Sequence, residues 1–182
     1  MKSNISFGSI KIGDIAKNHI NDCLNSNWIT MGPKVKLFEE QWKDLFGYKH
    51  TRLVNSGTSA DIASLLALYE FGAKPGDEVI VPGLSFIATG NAIRAAGFTP
   101  VFIDVKKETL NIDVNLIEEK ISKTTRAILA VNLMGKPCNL HFLQNIAKEY
   151  GIKLIVDNCE AYGSKHKGKY SLEYADMETT SH

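Results

Sequence analysis

The chain has 182 residues, 44% of them hydrophobic and 23% charged, enough apolar material for one buried core and too much for a disordered segment. A net charge of +1, from 21 Lys+Arg against 20 Asp+Glu, argues against a surface that tracks nucleic-acid phosphates and against a polybasic membrane face. Cys23, Cys138 and Cys159 are too few and too irregularly spaced for a disulfide framework or a zinc site, and the N-terminus MKSNISFGSIKIGDI has no signal-peptide core, so no metal and a cytoplasmic location are expected.

Helical periodicity begins at Ile15–Leu24, with Asp14 as the expected N-cap, and is broken by NSNWITMGP at 25–33. Val35, Phe38, Trp42 and Leu45 then mark a second helix ending at Gly47, its aromatics expected in the core. From there strands and helices alternate. Strands are expected at 52–54, 78–81, 100–105, 126–131 and 152–156, and helices at 60–69, 85–96, 114–121 (capped by Asp113) and 142–150. Short apolar strands separated by helices imply an α/β fold, a mainly parallel sheet with helices on both faces. A polar hairpin around Gly168 and the start of a further strand at 177–182 close the chain, which suggests a fragment.

Three stretches carry chemistry. KLIVDNCEAYGS at 153–164 runs an apolar strand into Asp157, and carboxylates at such strand ends are site candidates in open α/β sheets. The alternative is an aspartate capping the next helix. NSGTSA at 55–60 precedes a helix with small residues and hydroxyls, the composition of an anion cradle, though without P-loop or GxGxxG spacing. An ordinary Ser/Thr-capped helix is the competing reading. PGLSF at 82–86 follows a strand, and Phe86 either offers a ring face to a flat heteroaromatic ligand or joins the core. All three stretches are expected at one sheet edge, where cradle, ring and carboxylate would converge.

WITMGP at 28–33, NSGTSA, KPGDEVIVPGLSFIAT at 74–89, PVFIDV at 100–105 and LIVDNCEAYGS, in this order, resemble the DegT/StrS family of PLP-dependent nucleotide-sugar aminotransferases. The resemblance implies the large domain of a fold-type I aminotransferase over 34–182, incomplete at its C-terminus, preceded by an N-terminal helix and substrate or interface segment over 1–33. It implies pyridoxal 5'-phosphate as cofactor, cycling through its PMP form, a nucleotide-sugar substrate, glutamate as amino donor, and a homodimer with active sites at the subunit interface. Gly57, Thr58, Ser59 and Ser181 would hold the cofactor phosphate, Phe86 would stack on the ring, Asp157 would pair with the ring nitrogen, and Glu160 would approach the phenolic oxygen. Trp28, Thr30 and Gly32 match a segment near the sugar nucleotide.

Two features depart from the plain pattern. The family's nucleophilic lysine falls beyond His182. Glu160 stands where these aminotransferases carry glutamine or histidine, and with NLMGKP at 132–137 it resembles the branch of 3-dehydratases of 4-keto-6-deoxy nucleotide sugars, in which histidine replaces the lysine. A non-catalytic α/β binding or dimerisation module is the reading from another class.

Overall fold

The computed structural model describes residues 10–181; residues 1–9 of the expected N-terminal segment and His182 lie outside the described residues. Its centre is a parallel sheet in the order β2-β1-β3-β4-β7, with β1 Glu78–Pro82, β2 Thr99–Ile103, β3 Thr125–Val131, β4 Lys153–Asp157 and β7 Met177–Thr179. The intervening β5 Lys165–His166 and β6 Lys169–Tyr170 form the antiparallel hairpin expected around Gly168, whose φ of 81° suits a residue without Cβ.

Successive residues of each strand point to opposite faces, and both faces of β1, β3 and β4 are covered. Ile80, Ile128, Ala130, Leu154 and Val156 pack with α5 (Leu140–Tyr150) and with Val114 and Ile117. Val79, Val81, Ala127, Leu129 and Ile155 pack with residues of α3 (Gly57–Leu66) and α4 (Ile87–Ala95) on the other face. Strands covered on both sides need no polar alternation, which is why their sequences are continuous apolar runs. Each buried Leu or Ile contributes about 1.5–3 kcal/mol of transfer free energy, so these two layers dominate the stability of the sheet.

The periodic elements fall where expected, within a residue or two at most ends, and several local expectations are corrected. Residues 52–54 form no strand and join no ladder: the Leu53 N–H donates to Glu39 Oε1 at 2.8 Å, so α2 (Pro33–Phe46) takes the donor that a sheet would need. The fifth strand is β7 instead, and it ends at Thr179. Residues 114–121 form two 3-10 turns rather than an α-helix, though Asp113 does cap the first, accepting from the Asn115 N–H at 3.0 Å. In α1 (Asp14–Asn25) Gly13 is the cap, and Asp14 is the first helical residue, paired with Lys17 at 3.3 Å. The helix expected from Ser85 starts only at Ile87.

Neither α1 nor α2 has a fully buried residue. Rather than entering the core, Phe38, Trp42 and Phe46 form a half-buried aromatic ladder, with centroids 5.5 Å and 4.6 Å apart, that leans on Tyr162 and Tyr170.

Candidate active site

Parallel pairing puts the C-terminal ends of β1, β3, β4 and β7 on one edge, and the chemistry gathers there. Asp157, the last residue of β4, is 5% exposed. It does not cap a helix. Its Oδ2 accepts from the Thr89 hydroxyl of α4 at 3.1 Å and its Oδ1 from the Cys159 N–H at 3.1 Å, so both oxygens are held. Burial of an acid without a cationic partner is costly unless the site is built to receive a positive group.

The start of α3 lies against the same edge. Ser56 is its N-cap, the Oγ accepting from the Ser59 N–H at 3.1 Å, so the capped-helix reading holds as local structure. The positive end of the helix dipole remains available beside Asp157's turn, with Thr58 exposed. Gly57 is there because nothing larger fits: a Cβ would stand 2.8 Å from Cys159 Sγ and 2.9 Å from Ser181 Cβ. That contact joins Gly57, Ser181 and the turn after β4. Burial and the Asp157 charge push the Cys159 thiol up to about 12, which keeps it a neutral neighbour.

Phe86 follows β1 and is 68% exposed, so the ring is outside the core. Its backbone is the extended cap of α4, the helix that carries Thr89. Glu160 reaches the turn after β3: its Oε2 accepts from the Met134 N–H at 2.8 Å, where Met134 has a φ of 51°. The carboxylate thereby acquires a donor of its own. Trp28, Thr30 and Gly32 lie on the loop between α1 and α2, where the indole Nε1 donates to the Met31 carbonyl at 3.0 Å and packs over Gly32. Gly32 and Met31 line a cleft of about 600 Å³ with Glu39 and with residues 49–52, whose lining includes neither Asp157 nor Phe86.

Sequence reasoning missed Asp61, 1% exposed on α3, which accepts from the Thr179 hydroxyl at 2.6 Å. Burial, then the Asp157 charge, push its carboxyl up to about 7, against the Thr179 hydrogen bond. An acid on the face shared by Leu65 and Leu68, at helical spacings of four and seven, was the available signal. Behind the site Asn132 donates to Asn158 Oδ1 and to Ser171 Oγ, and Asn158 donates to Glu178 at 2.8 Å, a buried polar strut.

A buried acid and a helix N-terminus thus meet at one sheet edge of an α/β fold, with an exposed ring after β1. The chain belongs to the DegT/DnrJ/EryC1/StrS aminotransferase family, whose model it matches over residues 11–182. It is 40% identical over 166 residues to GDP-perosamine synthase of Escherichia coli O157:H7, covering 91% of this chain and 45% of that protein. It is 38% identical over 168 residues to the GDP-4-keto-6-deoxy-D-mannose 3-dehydratase of Yersinia pseudotuberculosis, covering 90% and 42%. Among solved structures, the E. coli GDP-4-keto-6-deoxy-D-mannose-3-dehydratase with bound hydrated PLP superposes with a TM-score of 0.85 at 35% identity, covering 91% of this chain and 43% of that one. The chain thus spans less than half the length of these relatives. The family is PLP-dependent, and its fold is the mainly parallel sheet expected from the sequence.

Proposed function

We propose that the protein containing this chain uses PLP to move an amino group, supplied by glutamate, onto a keto group of a nucleotide-linked deoxysugar. The observation that carries this reading is Asp157, buried at the end of β4 with both oxygens held and the N-terminus of α3 beside it. The residues present fit the cofactor. Gly57, Thr58 and Ser59 offer the helix N-terminus to its phosphate, Ser181 adds a hydroxyl, and the exposed Phe86 ring offers a face. When bound, PLP supplies an electron sink, and a protonated ring nitrogen deepens it.

Asp157 holds a proton at that nitrogen, and Thr89 keeps the carboxylate aimed. Trp28, Thr30 and Gly32 serve the sugar nucleotide as part of a homodimer, a role supported by the exposure of Trp28, Ile29 and Met31. This reading carries a cytoplasmic location; among the described residues no helix is long and apolar enough to cross a membrane.

A second reading, 3-dehydration of a 4-keto-6-deoxy nucleotide sugar, is favoured by Glu160 and by the 38%-identical relative. The test is product analysis with a GDP-linked 4-keto-6-deoxy sugar, glutamate and PLP, using protein extended to the relatives' length. An amino sugar supports the first reading. A 3-deoxy product without amino sugar overturns it in favour of the second. Neither product, with no PLP absorbance retained on dialysis, overturns both and leaves a non-catalytic binding or dimerisation module.

A further inference from the structure

We infer that Asp61 is a positioning residue of the cofactor site, a second carboxylate that acts on a bound cationic ring through Asp157; this rests on the PLP reading above. Asp61 sits on an apolar helical face with Leu65 and Leu68, where an aliphatic side chain would pack without electrostatic penalty. Instead a carboxyl is buried there, bonded to the hydroxyl of Thr179, the residue that pairs in register with Asp157 across β4 and β7, and the Asp157 charge reaches it. Like charges at such a site are tolerated when one keeps a proton or a cation arrives.

Three elements supply the groups around the pair. From β7, Thr179 donates its hydroxyl to Asp61 Oδ1 at 2.6 Å. From α4, Thr89 donates to Asp157 Oδ2, and from the turn after β4 come the Cys159 N–H and thiol. Asp61 is the only charged residue in α3. Among the described residues these partners are hydroxyls, an N–H and a neutral thiol, none of them cationic; on the PLP reading, the cationic ring is a positive group that would balance the two carboxylates.

Without it, burial and the Asp157 charge favour the protonated form of Asp61. A cationic ring seated on Asp157 lowers the proton affinity of Asp61 as well, so the proton leaves as the ring binds and the second charge strengthens its hold. The sign follows by linkage: a proton lost on binding makes binding tighter as pH rises through the ligand-free titration near 7.

Asp61→Asn keeps the shape and an acceptor for Thr179 but cannot ionise. PLP dissociation constants of wild type and variant, measured from about pH 5.5 to 8.5 so as to bracket that titration, should agree at the acid end and diverge at least fivefold at the alkaline end, with the variant weaker. PLP's own titration is common to both proteins and cancels in the ratio. A ratio that does not change with pH overturns the inference while leaving PLP binding intact. Absence of PLP binding at every pH overturns the PLP reading and this one with it.

Melting without PLP gives a second measure. Asp61 is protonated in the folded state and ionised in the unfolded state between their two pKa values, so wild type should lose stability relative to Asp61→Asn as pH rises from about 4 to about 7, with no further loss above that. Asp157→Asn should lower the pH at which that loss occurs. A loss unmoved by Asp157→Asn shows the two acids uncoupled and overturns the inference.

Discussion

Asp157 owes its character to two donors that reach it from different parts of the chain, the Thr89 hydroxyl and the Cys159 N–H. Replacing it with alanine removes the proposed partner of the ring nitrogen. We expect Asp157→Ala to weaken PLP affinity at least tenfold and to abolish turnover in the extended protein, measured by spectral titration and by product assay; wild-type affinity would remove the residue from the site. Glu160 is the opposite case. The one bond the structure gives its carboxylate among the described residues comes from the Met134 N–H to Oε2. Glu160→Gln retains an acceptor and should leave stability unchanged, whereas Glu160→Ala should cost about 0.5–1.5 kcal/mol in a denaturant titration, the worth of one hydrogen bond. Equal losses in both variants would show that the charge, not the hydrogen bond, secures the turn. Asp157 stood out in the sequence because an acid that ends an apolar run interrupts a strand built for burial. Asp61 escaped because a single acid inside a helix is ordinarily on the solvent side, and its spacing to Leu65 and Leu68 was outweighed by that rule until the fold showed its burial.

At the scale of elements, the apolar runs of β1, β3 and β4 and the glycine stops of α2 and α5 were legible because they rest on local rules. Gly47 and Gly151 have φ values of 79° and 65°, the left-handed caps their position implies. What failed was decided by competition. Residues 52–54 have strand composition, yet Glu39 of α2 takes the Leu53 N–H. Residues 114–121 have a helical pattern, and they pack as two tight turns through Val114 and Ile117. The start of α3 is the element on which the proposed phosphate site depends. We expect Gly57→Ala to destabilise the chain by about 1–3 kcal/mol, the usual cost of overpacking, because its Cβ would collide with Cys159 and Ser181. Inorganic phosphate or PLP affinity should fall with it, read by isothermal titration; a stable variant with unchanged PLP affinity would separate the helix start from the cofactor.

The whole molecule leaves a large apolar surface uncovered. Ile15, Ile20, Leu24, Ile29 and Met31 are exposed along α1 and its loop, and Phe86, Ile87, Phe102 and Met134 are exposed elsewhere. Patches of this kind mark interaction surfaces, and the proposed dimer gives them a use. Sedimentation velocity should therefore show species heavier than one chain, and Ile29→Glu together with Met31→Glu should shift the distribution toward the single chain. A lone chain at every concentration would refute self-association through this surface. Chain order by itself established the alternation of strands and helices, the two-sided burial of the sheet and three stretches with the composition to bind an aromatic phosphate, since each depends on neighbours within a few residues. Only folding brought Thr89, Asp61 and Thr179 to Asp157, and turned Glu160 onto Met134. Those contacts join residues far apart in the chain, and hydrogen bonding and burial between distant segments leave no periodic trace in the segments themselves.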